Sequence, residues 1–142
     1  MEPAKRFLEY ATSFEQTFVD DDWSRLEPYF AEDAIYAVTG GPPLGGRWEG
    51  RAQVLEHLRD SLNELDRRFD ERRVEVVGEP TIGDTSFEMA WRATYKKAGC
   101  PDLVIEGKER ASFDGDLILL LEDMLEDGTD RRIQEYMARY FG

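Results

Sequence analysis

Carboxylates set in apolar rows are the places in this chain where side-chain type and spacing could support chemistry. Across Leu103–Phe113 the side chains alternate, so Leu103, Ile105, Gly107, Glu109, Ala111 and Phe113 share one face, while Val104, Glu106, Lys108, Arg110 and Ser112 share the other. Glu109 is therefore a single acid in an apolar row. A buried ionised carboxylate without partners is costly, so such a group takes a partner, keeps its proton or touches bound water. The following segment, Leu117–Leu125, supplies a second acid. A three-residue loop Asp114-Gly115-Asp116 would set Glu109 opposite Leu121 and leave Asp123 diagonal to it, at roughly 7–8 Å between backbones. A two-residue loop would instead turn Glu122 inward. Asp123 is the preferred reading, because it keeps the leucines on the inner face. Two carboxyls sharing one apolar space have their proton affinities pushed apart, one becoming a donor and the other a base. The plainer alternative is a pair of acids at a wet sheet end, held by Arg47 or Arg51.

The elements that must position these acids follow from periodicity. Phe7, Ala11, Phe14 and Phe18 recur at helical spacing, and Asp22 is placed to cap a short second helix carrying Trp23, Leu26, Tyr29 and Phe30. Ala34–Thr39 reads as a short strand. Gly40-Gly41-Pro42-Pro43-Leu44-Gly45-Gly46 can be only a loop, a candidate rim or lid. A long helix runs from about Gly50 to Phe69 with Val54, Leu55, Leu58, Leu62, Leu65 and Phe69 on one face. The period then falls to two: Val74 and Val76, then Phe87–Lys97 with Phe87, Met89, Trp91, Ala93 and Tyr95 on one side, then the two acid-bearing segments. Asp130 opens a final helix with Ile133, Tyr136, Met137, Tyr140 and Phe141 as its apolar stripe. Helices first and an antiparallel meander afterwards make an α+β domain, single across residues 1–142.

Composition narrows the classes of function. The 142 residues hold 31 acidic and 18 basic side chains, a formal charge of −13, which repels nucleic-acid phosphates. One Cys and one His leave no ligand set for zinc and no internal disulfide, and a lone thiol suits a reducing compartment. Residues 1–10 include Glu2, Lys5, Arg6 and Glu9, unlike a secretory leader, and the longest apolar run, Leu117–Leu121, is too short to span a bilayer. The expectation is a cytoplasmic protein with neither nucleic-acid nor membrane partner.

Three local patterns carry a family resemblance. They are Tyr29-Phe30-Ala31-Glu32-Asp33-Ala34 entering the first strand, Trp48-Glu49-Gly50-Arg51-Ala52-Gln53-Val54 opening the long helix, and the closing strand from Ile118 to Glu126. With the order of elements, they resemble the NTF2-like superfamily over roughly Phe7 to Glu126. The resemblance implies a cone in which N-terminal helices pack on a curved antiparallel sheet around a cavity; the helix after Asp130 is an addition that would cover the mouth or join a dimer interface. Its members include ketosteroid isomerase, SnoaL-type polyketide cyclases, limonene epoxide hydrolase, scytalone dehydratase and non-catalytic binding domains. By that likeness Glu109 falls where a carboxylic acid donates to a substrate oxyanion, and Asp123 matches the closing strand. Other family features are missing: Ile35–Thr39 has no carboxylate, with Val38 near the place of the isomerase base, and the inward helix-one positions read Phe14 and Phe18 in place of a tyrosine. The two histidines of scytalone dehydratase reduce here to His57, which sits off the apolar stripe of its helix and reads as a partly exposed surface residue. Glu109, Arg92 and Asp123 are the nearest counterparts of the epoxide hydrolase triad, with Arg92 on the outer strand face.

The expected site thus has Glu109 and Asp123 handling protons and Tyr36 and Tyr95 orienting a carbonyl or hydroxyl. Phe18, Trp23, Trp48, Phe87, Met89, Trp91, Phe113 and Leu121 are the expected ligand-binding wall for a hydrophobic or aromatic small molecule. No cofactor or metal is called for, since isomerisation, cyclisation and dehydration need none. The alternatives are a non-catalytic ligand-binding module and an association domain using Glu88, Arg92, Lys108 and Arg110 on the outer sheet face. A homodimer is what the resemblance implies.

Overall fold

The protein is described from a computed structural model covering residues 2–39 and 45–141. Helix α1 (Pro3–Asp20) ends where Asp21 turns left-handed, its N–H bonding back to the Thr17 carbonyl at 2.7 Å. A 3₁₀ turn over Trp23–Tyr29 takes the place of the expected second helix, because Pro28 lies within it. Strand β1 (Phe30–Val38) begins four residues before the Ala34–Thr39 estimate, and β2 (Gly46–Glu49) pairs with it antiparallel. Of the glycine-rich rim loop, residues 40–44 lie outside the described residues.

Helix α2 (Arg51–Glu64) gives way to a 3₁₀ turn at Asp66–Arg68, so the expected helix to Phe69 is two elements. The strands β3 (Glu71–Ile82), β4 (Ser86–Lys96), β5 (Leu103–Asp114) and β6 (Leu117–Leu125) then form the antiparallel meander. Helix α3 (Thr129–Tyr140) closes the chain. The six strands make one sheet in the order β2-β1-β6-β5-β4-β3, with β1 and β6 parallel, so the sheet is mixed where a purely antiparallel one was expected. The parallel contact joins strands that are far apart in the chain: β2, α2, the 3₁₀ turn at Asp66–Arg68 and the strands β3–β5 lie between β1 and β6.

Two apolar clusters hold the helices to the inner face. One joins α1 and α2 to the strands through Phe7, Tyr10, Leu26, Phe30, Val54, Leu58, Phe87, Ile118 and Leu121, with Phe7 stacked on Phe87 at 4.8 Å. The other packs α3 over the far end of the sheet: Ile133 and Tyr136 lie with Leu65, Phe69, Leu103 and Ile105. Tyr136 also donates to the Pro101 carbonyl at 2.6 Å and Arg132 to the Val104 carbonyl at 2.7 Å. Helix α3 therefore seals one end of the cone within the same chain. No helix among the described residues is long and apolar enough to cross a membrane.

Candidate functional site

The position of the second acid is decided by one extra residue. The β5–β6 connection is a two-residue turn, Gly115-Asp116, with Asp114 opposite Leu117 and Gly115 at φ 59°. Continued unbroken, that register would face Glu109 with Glu122. A bulge at Leu119 shifts it: Phe113 pairs with Ile118 but Ser112 with Leu120, and from there Glu109 stands directly opposite Asp123. The three-residue loop and diagonal placement expected from sequence are thereby corrected. Side-chain volume explains the bulge, since it sends Ile118 and Leu121, both fully buried, to the core and leaves Leu119 outside.

Glu109 and Asp123 face each other directly across the two strands, and two carboxyls can hydrogen-bond to each other only with a proton between them. Tyr36, paired beside Leu121 on the neighbouring strand, donates its hydroxyl proton to Asp123 Oδ2. Asp123 Oδ1 is buried and finds no ordinary donor, so the Glu109 carboxyl is what remains for it. Burial, followed by the charge of Asp123, pushes the Glu109 carboxyl well above the usual range. Burial also raises Asp123, but the bonds from Glu109 and Tyr36 pull it back. Glu109 is the proton holder of the pair, and Asp123 the acceptor. Arg47, considered as an anchor for these acids, is instead engaged by Glu49 at 3.2 Å on the surface.

These groups open onto a cavity of about 360 Å³ between the sheet and α1 and α2. A wider hollow on the outer side of α1, around Glu2, Lys5 and Glu9, is shallow and open to solvent and gathers no comparable chemistry. The inner cavity follows β4 from Met89 to Tyr95, seven residues and up to about 20 Å at strand spacing. Its middle is apolar, with Phe14, Leu58, Leu62, Trp91, Ala93 and Ile105. Gly107 makes room for this wall: a Cβ there would come within 2.8 Å of the Met124 carbonyl and 3.1 Å of the Trp91 ring. The mouth lies between α1 and the edge strand β3, where Leu8, Val74 and Val76 are 57%, 42% and 58% exposed.

A second polar cluster occupies the α3 end. Asp66 Oδ2 accepts from Arg72 Nε at 2.7 Å and from the Tyr95 hydroxyl at 3.1 Å, while Arg72 also reaches Glu15 on α1 at 2.7 Å. Burial pushes Asp66 up, and Arg72 offsets part of that. Burial opposes the Arg72 charge too, but Asp66 and Glu15 together outweigh it and keep the guanidinium charged. Tyr95, expected beside Glu109 and Asp123, belongs to this cluster instead.

Of the other expected wall residues, Met89 and Trp91 line the cavity. Phe87, Phe113 and Leu121 lie behind it as solid core. Phe18 is half-buried under the guanidiniums of Arg67 and Arg72, and Trp23 packs edge-on against Phe14 while donating to Asp21. Trp48 lies one layer out, stacked on Tyr36 and on His57. The wall thus combines aromatics of α1 and the strands, Phe7, Tyr10, Phe14, Tyr36 and Trp91, with the aliphatic Leu58 and Leu62 of α2 and Val74 and Val76 of β3.

Two further residues, His57 and Tyr10, line the cavity. His57 is partly exposed, as expected, but it also faces the cavity: its ring stacks on Trp48 at 3.3 Å between centroids and lies 5.6 Å from the Tyr36 ring. Burial lowers its proton affinity, with Asp60 acting weakly against. Helix one does place a tyrosine inside, namely Tyr10, buried and held neutral by burial and then by the charges of Glu109 and Asp123. The signals available were Ser61 one turn beyond His57, and Tyr10 one turn before Phe14. Among the described residues no cluster of His, Cys, Asp and Glu is arranged to hold a metal ion.

Among solved structures, the chain superposes on a proposed isomerase from Rhodopseudomonas palustris at a TM-score of 0.73, with 16% identity over 92% of this chain and 96% of that one. Bal32a, from a soil-derived mobile gene cassette, matches at 0.69 and 16% identity, covering 94% and 98%. TerC, co-crystallised with polyporic acid, matches at 0.67 and 12%, covering 94% and 98%. At such identities the likeness concerns the fold. No protein of curated function matches the chain. The SnoaL-like domain model matches residues 11–140, nearly the whole fold and every group lining the acidic end of the cavity except Phe7, Leu8 and Tyr10, so this chain belongs to the SnoaL-like domain family of the NTF2-like superfamily.

Proposed function

We propose that this SnoaL-like protein binds a small apolar molecule bearing a carbonyl or hydroxyl and moves protons on it without a cofactor, as an isomerase, cyclase or dehydratase. The observation that carries the reading is the Glu109–Asp123 pair, two carboxyls facing each other across two strands at the wall of an apolar cavity with no cation among their partners in the described residues. Burial raises the proton affinity of Glu109, and a carboxyl that keeps its proton is a hydrogen-bond donor and proton source for an oxygen that gains negative charge. Asp123, steadied by Tyr36, is the matching acceptor. A cavity of this size suits a molecule of one to a few rings. The outer sheet face, where Arg92 is paired with Glu106 and Lys108 and Arg110 are exposed, suits a homodimer, and the free Cys100 suits a reducing cytoplasm.

The test uses 2-tetralone, an apolar ketone with enolisable C–H groups, in D₂O, with loss of its α-proton signals followed by NMR. The expected result is exchange above the buffer rate, falling by about 10²-fold in E109Q and in D123N. Binding without any acceleration would instead leave a ligand-binding module. Sedimentation velocity reads the oligomeric state directly.

A further inference from the structure

We propose that His57 is the carbon base that works opposite the Glu109–Asp123 proton, and that Ser61 fixes the imidazole tautomer for that role. The inference rests on the proton-transfer reading above and adds a residue and a direction to it. Ser61 Oγ makes two contacts: it lies 2.9 Å from the His57 carbonyl and 3.2 Å from His57 Nε2. A carbonyl only accepts, so the single Ser61 proton goes there, and the hydroxyl oxygen is left to accept from Nε2–H. The ring nitrogen without a proton is therefore Nδ1, for which the described residues offer no hydrogen-bond partner. The ring is held flat by Trp48 and sits in the same wall as Tyr36, whose hydroxyl bonds Asp123. Burial keeps the imidazole neutral, and the charged neighbour acting on it is Asp60 of its own helix, while β1 and β2 present Tyr36 and Trp48.

In the resulting step the substrate C–H proton passes to His57 Nδ1 and the C–H electron pair becomes the C=C bond of an enol. The carbonyl oxygen takes the proton of Glu109, whose carboxylate is left to recover one from the medium or from product. Return of the His57 proton to a different carbon completes an isomerisation, and loss of a β-hydroxyl as water completes a dehydration. The substrate class is accordingly an apolar ketone or enone with an acidic C–H near its carbonyl.

The chain has one histidine, so long-range ¹⁵N–¹H spectra report His57 alone. The expected spectrum shows the Nε2–H form, with the Nδ1–H form growing in S61A; a dominant Nδ1–H form in the wild type overturns the proposal. In the 2-tetralone exchange assay, H57Q should lose about 10²-fold. The exchange rate should rise with pH through the His57 midpoint, and S61A, which keeps the imidazole, should move that midpoint. Full exchange in H57Q with loss in E109Q refutes the role of His57 while the carboxyl reading stands. No acceleration by the wild type removes both.

Discussion

The two polar ends of the cavity use nearly the same parts and arrive at opposite electrostatics. At one end a carboxylate, Asp66, accepts from a tyrosine, Tyr95, and a guanidinium, Arg72. At the other a carboxylate, Asp123, accepts from a tyrosine, Tyr36, and a second carboxyl, Glu109. Asp66 and the Asp123 Oδ1 atom are both buried, so burial alone does not distinguish the two ends. The cation does. Arg72 supplies the charge that Asp66 lacks, and the cluster becomes a closed tie between α1, the turn after α2, β3 and β4. Without a cation, the Glu109–Asp123 pair can satisfy itself only by keeping a proton, and a retained proton is what acid–base chemistry uses.

Breaking the tie should give the largest effect. R72M leaves Asp66 as an uncompensated buried charge and should cost about 3–5 kcal/mol in denaturant unfolding. The opposite end should respond to pH instead. Glu109 holds its proton in the folded state to a higher pH than in the unfolded chain, where it ionises near 4.5. Its contribution to stability is complete below that value and is lost as pH rises toward the raised folded-state value. Over that window the wild type should lose about 1.4 kcal/mol per pH unit relative to E109Q, measured as the difference between the two unfolding curves. Between the two ends, G107A should cost about 1–3 kcal/mol, because the added methyl meets a backbone carbonyl and the Trp91 ring. The smallest change is Y36F, about 1 kcal/mol in unfolding, with the carboxyl titration of the Glu109–Asp123 pair moving upward as Asp123 loses a donor.

The architecture was legible because each element carried its own period. The alternation Phe87–Tyr95 and Leu103–Phe113 by itself places Met89, Trp91 and Glu109 inward, and the stripe Val54–Leu62 places α2. The aromatic wall was less legible. Phe87, Phe113 and Leu121 share the inward parity with Glu109, but parity says which face a side chain takes and not whether void or packing meets it. The place of His57 at the cavity was not legible for a related reason: a stripe on a helical wheel assumes a flat partner, whereas here Trp48 of β2 reaches the row beside the stripe.

What the sequence alone determined is that a lone acid on β5 sits in an apolar row, since period-two geometry admits no other outcome once the strand forms. Which acid faces it, Glu122 or Asp123, was decided only by the bulge at Leu119, because Ile118 and Leu121 could both reach the core in no other register. Likewise, only the folded chain brings Arg72 to Asp66 and Glu15, leaving the other end of the cavity with no cation and a proton to keep.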